Sequence, residues 1–131
     1  NYRITLPSVE MIGVRAFRRV PKVHRVYISS KNLTTIKKGA FRECTGMTKF
    51  NVVSTKLNSL QKYALYGNSK LKTVDKKRLL TGKYDKSNVG SKTFSGIKST
   101  ATFTVPAGSV QNYKDLFKSK GAGSKFKVKS L

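Results

Sequence analysis

Apolar side chains in this chain return at a fixed interval of 24 residues. Ile12, Ile36 and Leu60 fall on one ladder, Ala16, Ala40 and Ala64 on a second, and Phe17, Phe41 and Leu65 on a third. Val23, Met47 and Leu71 make a fourth, and Val26, Phe50 and Val74 a fifth; Ile28 matches Val52, and Leu33 matches Leu57. A period in the twenties is the mark of a solenoid. One coil of this length cannot bury its own apolar side chains, and stacking the next coil upon it turns each ladder into a buried file with a rise of ~4.8 Å per coil.

Within the first full coil, residues 12–35, Val26 and Ile28 alternate with Arg25, Tyr27 and Ser29. That alternation predicts a half-buried strand with Arg25 and Tyr27 facing out. A helical turn is expected around Ala16 and Phe17, and a second short strand over 33–36, repeated over 57–60. Upstream, a spacing of 24 places Tyr2 and Ile4 beneath Val26 and Ile28, and Val9 beneath Leu33. Coil three begins at Leu60 and departs from the pattern after Val74, where Lys76 takes the place of Ile28 and Val52. A basic loop follows, and a five-residue insertion changes the offset to 29. Val89, Phe94, Phe103 and Val105 then resume the Ile12, Phe17, Val26 and Ile28 roles. The insertion, near 76–88, is expected to project from the surface, with Leu79 and Leu80 as tethers.

The last segment does not repeat. Ser109 suits a helix cap, and Val110, Tyr113, Leu116 and Phe117 form an apolar stripe at helical spacing that Gly121 ends. Residues 125–129 alternate lysines with Phe126 and Val128, as in an edge strand guarded by charge. The chain therefore divides into a solenoid of about four coils, 1–106, and a C-terminal cap, 107–131. It opens at Asn1 in the middle of a repeat, without initiator Met or signal peptide, which predicts targeting signals upstream.

These runs resemble the BspA-type leucine-rich repeat. The resemblance rests on Ile12-Gly13-x-x-Ala16-Phe17, on Ile36-x-x-x-Ala40-Phe41-x-x-Cys44, and on the following Met47-x-x-Phe50-x-Val52, with Pro106 after Val105 and Pro7 after Leu6 matching the family's closing proline. Lys37 and Gln61 depart from the family's glycine after the isoleucine. The resemblance implies a mixed α/β leucine-rich-repeat solenoid of short parallel strands with helical turns. It further implies a bacterial protein, secreted or attached to the cell wall, that serves adhesion or contact with a host or matrix protein or glycan.

Charge changes the picture more than any motif. The 28 Lys and Arg against 5 Asp and Glu leave a net charge of +23. One reading is a solvated surface that keeps a sheet-rich protein soluble; the other is attraction to a polyanion such as a wall polymer, a sulfated glycan or nucleic acid. Lysine outnumbers arginine 21 to 7, which favours diffuse charge over planar bidentate recognition and argues against specific DNA reading. No apolar run reaches the ~18 residues of a membrane span.

Catalytic chemistry finds no foothold. The one His24 has no carboxylate near it in sequence to form an acid–base pair, and Cys44 sits on a packing ladder with Val20, Asn68 and Ile97. The acids Glu10, Glu43, Asp75, Asp85 and Asp115 are scattered, and no metal or cofactor motif is present. The chain reads as a non-enzyme without cofactor, the alternative being an accessory domain of a larger surface enzyme. The candidate partner-binding surface is the outward face of the strand ladder: Arg3, Tyr27, Asn51, Asp75 and Thr104 in one row, and Arg25, Lys49, Thr73 and Thr102 in the next.

Overall fold

The structure, a computed structural model, describes residues 2–54, 56–76, 88–105, 110–123 and 125–130. The chain winds into a parallel β-solenoid of about five turns. Each of the first three turns has a long strand, a short strand and a tight corner. The long strands are β1 (Tyr2–Thr5), β3 (Val23–Ile28), β5 (Lys49–Val52), β7 (Thr73–Lys76), β8 (Thr102–Val105) and β9 (Lys127–Ser130). They form one parallel sheet in the order β1-β3-β5-β7-β8-β9. The short strands β2 (Met11–Ile12), β4 (Thr35–Ile36) and β6 (Ser59–Leu60) form a second parallel sheet, which a bridge from Leu60 to Val89 extends.

The register follows the ladders. Val26 pairs with Phe50, Phe50 with Val74, and Val74 with Phe103, so the offset of 24 becomes 29 across the insertion. Phe17 and Phe41 stack with ring centroids 5.2 Å apart and planes 7° from parallel. The segment before Val9 departs from the expected spacing. Ile4 pairs with Val26 and Arg3 with Arg25, an offset of 22. The corner between Leu6 and Val9 is two residues shorter than the one between Ile28 and Leu33, which shifts the whole of β1.

The turn expected around Ala16 and Phe17 takes the tight i→i+3 form. Ala16 donates to the Gly13 carbonyl and Arg18 to that of Arg15, and the next coils repeat the first bond at Ala40 and Ala64. These corners also bond to one another. Arg15, Phe17 and Arg19 donate to the carbonyls of Lys38, Ala40 and Arg42; Gly39, Phe41 and Glu43 do the same to coil three; Tyr63, Leu65 and Gly67 to coil four. The corner is thus a third hydrogen-bonded side of the solenoid. Two columns of left-handed backbone run up it: Arg15, Gly39, Tyr63 and Lys92 in one, and Arg19, Glu43, Gly67 and Gly96 in the other. Glycine adopts this conformation freely, whereas other residues strain by roughly 1–2 kcal/mol.

Buried polar groups close the coil where strands cannot. Ser30 and Ser54, 24 apart, donate to the carbonyls of Val9 and Leu33 and accept from the N–H of Asn32 and Lys56. Cys44 and Asn68 each donate to a carbonyl of the coil below, those of Phe17 and Phe41, at 2.9 Å.

At the far end, α1 (Val110–Ser119) buries Tyr113, Leu116 and Phe117, as its stripe predicts. Phe117 lies against Phe94, Phe103, Tyr113 and Phe126. Gly121, at φ +102°, ends the segment. The cap continues the repeat: β9 pairs with β8, and Phe94 donates to the Lys120 carbonyl, as the corner ladder requires. The proposed helix cap at Ser109 and the projecting loop with Leu79 and Leu80 lie outside the described residues.

Two stability tests follow from this packing. Phe41→Ala empties a fully buried ladder position and should cost about 3–5 kcal/mol; Phe17→Ala, only partly buried on the same ladder, should cost clearly less in urea unfolding. On the corner, Lys92→Gly should raise stability by roughly 1 kcal/mol by relieving left-handed strain. Gly96→Ala should lower it, because the new Cβ would lie 3.0 Å from Gly67 Cα.

Candidate functional site

The outward face of the long sheet carries the residues expected there. The parallel pairing sets Arg3, Arg25, Lys49, Thr73, Thr102 and Lys127 in one row, and Thr5, Tyr27, Asn51, Asp75, Thr104 and Lys129 in the next. Arg3 therefore sits in the Arg25 row and not in the Tyr27 row, a consequence of the shortened first corner. Its guanidinium nevertheless reaches across to Tyr27, 5.2 Å from the ring centroid.

A concavity of about 230 Å³ opens on this face, lined by Arg3, Arg25, Val26, Tyr27, Lys49, Asn51 and Asp75. Thr73, Thr102 and Thr104 share the face but do not line the hollow. Three cations in adjacent strands sit ~4.8 Å apart along one row, with Asp75 at the far rim. Like charges directly opposite on neighbouring strands repel, so the hollow presents positive charge that a carboxylate or another oxyanion would offset. Tyr27 and Asn51 add an aromatic face and an amide that donates and accepts.

The corner stack holds a second polar surface that the repeat register alone did not single out. Glu43 accepts from Arg19 Nε at 3.1 Å and from Arg42 Nε at 3.0 Å, and these are the two ion pairs among the described residues. The Arg42 guanidinium lies over the rings of Tyr63 and Tyr66, 4.8 Å from each centroid, and Lys62 Nζ sits 4.9 Å from Tyr63. Hydrogen bonds from Arg19 and Arg42 hold the Glu43 carboxyl below the usual range. Arg18, on the Arg42 ladder, has its affinity for the proton lowered, first by the neighbouring Arg19 charge and then by burial, Arg15 and Arg42. Its Nε is buried without a hydrogen-bond partner. The lone signal for this patch in the sequence is the clustering of Arg15, Arg18, Arg19 and Arg42, visible only once corners are stacked.

The remaining candidates for chemistry have structural places. Cys44 is buried, and burial pushes its thiol up, away from thiolate reactivity. His24 lies in β3, its carbonyl accepting from Thr48. Among the described residues no group of three or more His, Cys, Asp or Glu could hold a metal ion, and no helix is long and apolar enough to cross a membrane.

Comparison with known families gives one match: the BspA type leucine-rich repeat region, in six copies, over residues 2–122. Neither the curated proteins nor the solved structures compared with the chain gave a match.

The Glu43 pair predicts a pH signature. Its carboxyl titrates lower in the folded chain than in the unfolded one, so the stability it contributes is present above the unfolded carboxylate pKa and lost as pH falls through the folded value. Glu43→Gln should flatten the acid limb of stability against pH relative to the parent. The difference should shrink in 0.5 M salt, because the pair is at the surface.

Proposed function

The chain belongs to the BspA-type leucine-rich repeat family, and on that footing we propose that it is a non-catalytic interaction module working outside the cell or attached to the cell wall, with a host or matrix protein or glycan as partner. Leucine-rich repeats generally mediate protein binding and typically carry no catalytic machinery. A repeat scaffold stacks equivalent positions into rows and so presents one extended, rigid surface, which suits recognition of something larger than a metabolite.

The observation that carries the reading is the hollow on the long sheet. Side chains from four successive long strands converge there on backbone held by parallel ladders. A side chain on a paired strand loses less freedom on binding than one on a loop, so affinity is gained through preorganisation. Arg3 held over Tyr27 gives the hollow an aromatic–arginine pair, the residue types that dominate binding hot spots.

The test is a binding panel. Purified chain is measured by interferometry against immobilised extracellular-matrix and plasma proteins, at near-physiological salt. Tyr27→Ser combined with Asn51→Ser should weaken binding to any protein that is captured by at least tenfold. Asp115→Asn on α1 should leave it within threefold. Binding to no protein in the panel, or equal losses from the two changes, would contradict this assignment of the face.

A further inference from the structure

We propose that the stacked corners form a second binding surface, distinct from the sheet face, and that its ligand is a linear sulfated polysaccharide. Four observations support it.

The first is backbone strain with a pattern. Five residues other than glycine hold positive φ: Arg15, Arg19, Glu43, Tyr63 and Lys92. All five lie in the two corner columns, where Gly39, Gly67 and Gly96 show that glycine serves the same backbone position. Four of them belong to the charged cluster itself. Strained residues kept where an unstrained one would fit point to a function of the side chains.

The second is the arrangement of the cations. Glu43 engages only the Nε of Arg19 and of Arg42. The terminal nitrogens of both guanidiniums have no acceptor among the described residues and remain available to a ligand. The rings of Tyr63 and Tyr66, 79° from parallel, flank the Arg42 guanidinium at 4.8 Å from each centroid. Gly67 leaves room for the Glu43 side chain, which a Cβ there would meet at 2.9 Å from Cγ. A planar donor fork oriented in advance matches the oxygens of a sulfate or phosphate ester two at a time.

The third is density. Arg15, Arg18, Arg19 and Arg42 occupy two adjacent corners, ~4.8 Å apart along the axis, with one carboxylate between them. A phosphodiester chain strings its charges in single file, one to a unit. A densely sulfated sugar can set two oxyanions on one ring, as sulfate esters, sulfamates or carboxylates, which fits a clump of guanidiniums. Lys38, Lys62 and Lys92 continue the positive charge along the axis.

The fourth observation separates this ligand from nucleic acid. Sequence-tolerant binding of single strands needs open aromatic faces for bases to stack on. Here Arg42 covers both tyrosines, and Lys62 also sits over Tyr63.

The repeat supplies a clean test. Arg15→Gly with Arg19→Gly removes two guanidiniums while giving the backbone the residue its φ prefers, so the fold should be kept, relief of strain offsetting the lost Arg19–Glu43 pair. Affinity for immobilised heparin should drop at least tenfold. Lys114→Gln with Lys118→Gln, the same loss of charge on α1, should cost no more than threefold. Arg15→Lys with Arg19→Lys keeps the net charge and should still lose at least threefold. Equal losses from the glycine and glutamine pairs would overturn the proposal, because total charge would then account for binding. So would unimpaired binding of fully desulfated heparin, or competition by single-stranded DNA as effective as that by heparin. Because Tyr27 and Asn51 are intact in all these variants, the outcome is independent of the sheet-face reading.

Discussion

Everything in this structure depends on parallel backbone pairing along the solenoid axis. Each coil meets its neighbours on three sides, through the long sheet, the short sheet and the corner ladder, and the apolar files are a by-product of that alignment. A parallel pair of strands fixes register because a slip of one residue would turn every inward side chain outward. Here three sides would have to slip together. That explains why a five-residue insertion between β7 and Val89 leaves the pattern unharmed: the ladders on either side resume at an offset of 29. It also explains why a two-residue shortening between Leu6 and Val9 can move β1 while leaving Val9, Glu10 and Ile12 bonded at their expected spacing.

The apolar ladders were legible in the sequence because hydrophobic identity is conserved in kind along each file, from Val26 to Phe50 to Val74 to Phe103. The corner was legible only in part. Its left-handed columns carry Arg, Gly, Tyr and Lys at one position and Arg, Glu, Gly and Gly at the other, so only one adjacent pair shares a residue type and no periodicity shows. Carbonyl capping by Cys44 and Asn68 hid for the same reason: a thiol and an amide do one job, and only the shared geometry relates them. Cys44 is buried on its packing ladder, and its donor role arises only once the coils are stacked. The placement of Arg3 failed at the point where the corner length changed, since spacing predicts register only while each coil has the same number of residues.

The candidate sheet face was legible in membership and not in shape. Alternation along each strand identifies which residues point outward. It does not show that Arg3, Arg25, Lys49 and Asp75 surround one hollow while the threonines of β8 lie apart from it. Chain composition was misleading in another respect. Lysine dominance describes the average surface, yet four of the seven arginines stand on two consecutive corners. An average over 131 residues cannot report on a feature that stacking assembles from residues 15, 18, 19 and 42.

The two surfaces differ in how they tolerate their own charge. On the sheet, Arg3, Arg25 and Lys49 are spaced by the strand separation and offset only by Asp75 at the rim, so their repulsion is relieved mainly by solvent and salt. On the corner, the protein supplies Glu43 and two aromatic rings to hold the guanidiniums. Building such a support has a consequence for selectivity. Solvent-screened cations such as Arg25 and Lys49 attract any anion with little geometric preference, whereas a guanidinium whose Nε is already engaged by Glu43 offers its remaining donors away from that carboxylate. Long-range attraction is therefore a property of the whole +23 chain, and directional recognition belongs to the places where the fold holds its cations: Arg3 over Tyr27 on the sheet, and Arg19 and Arg42 against Glu43 on the corner.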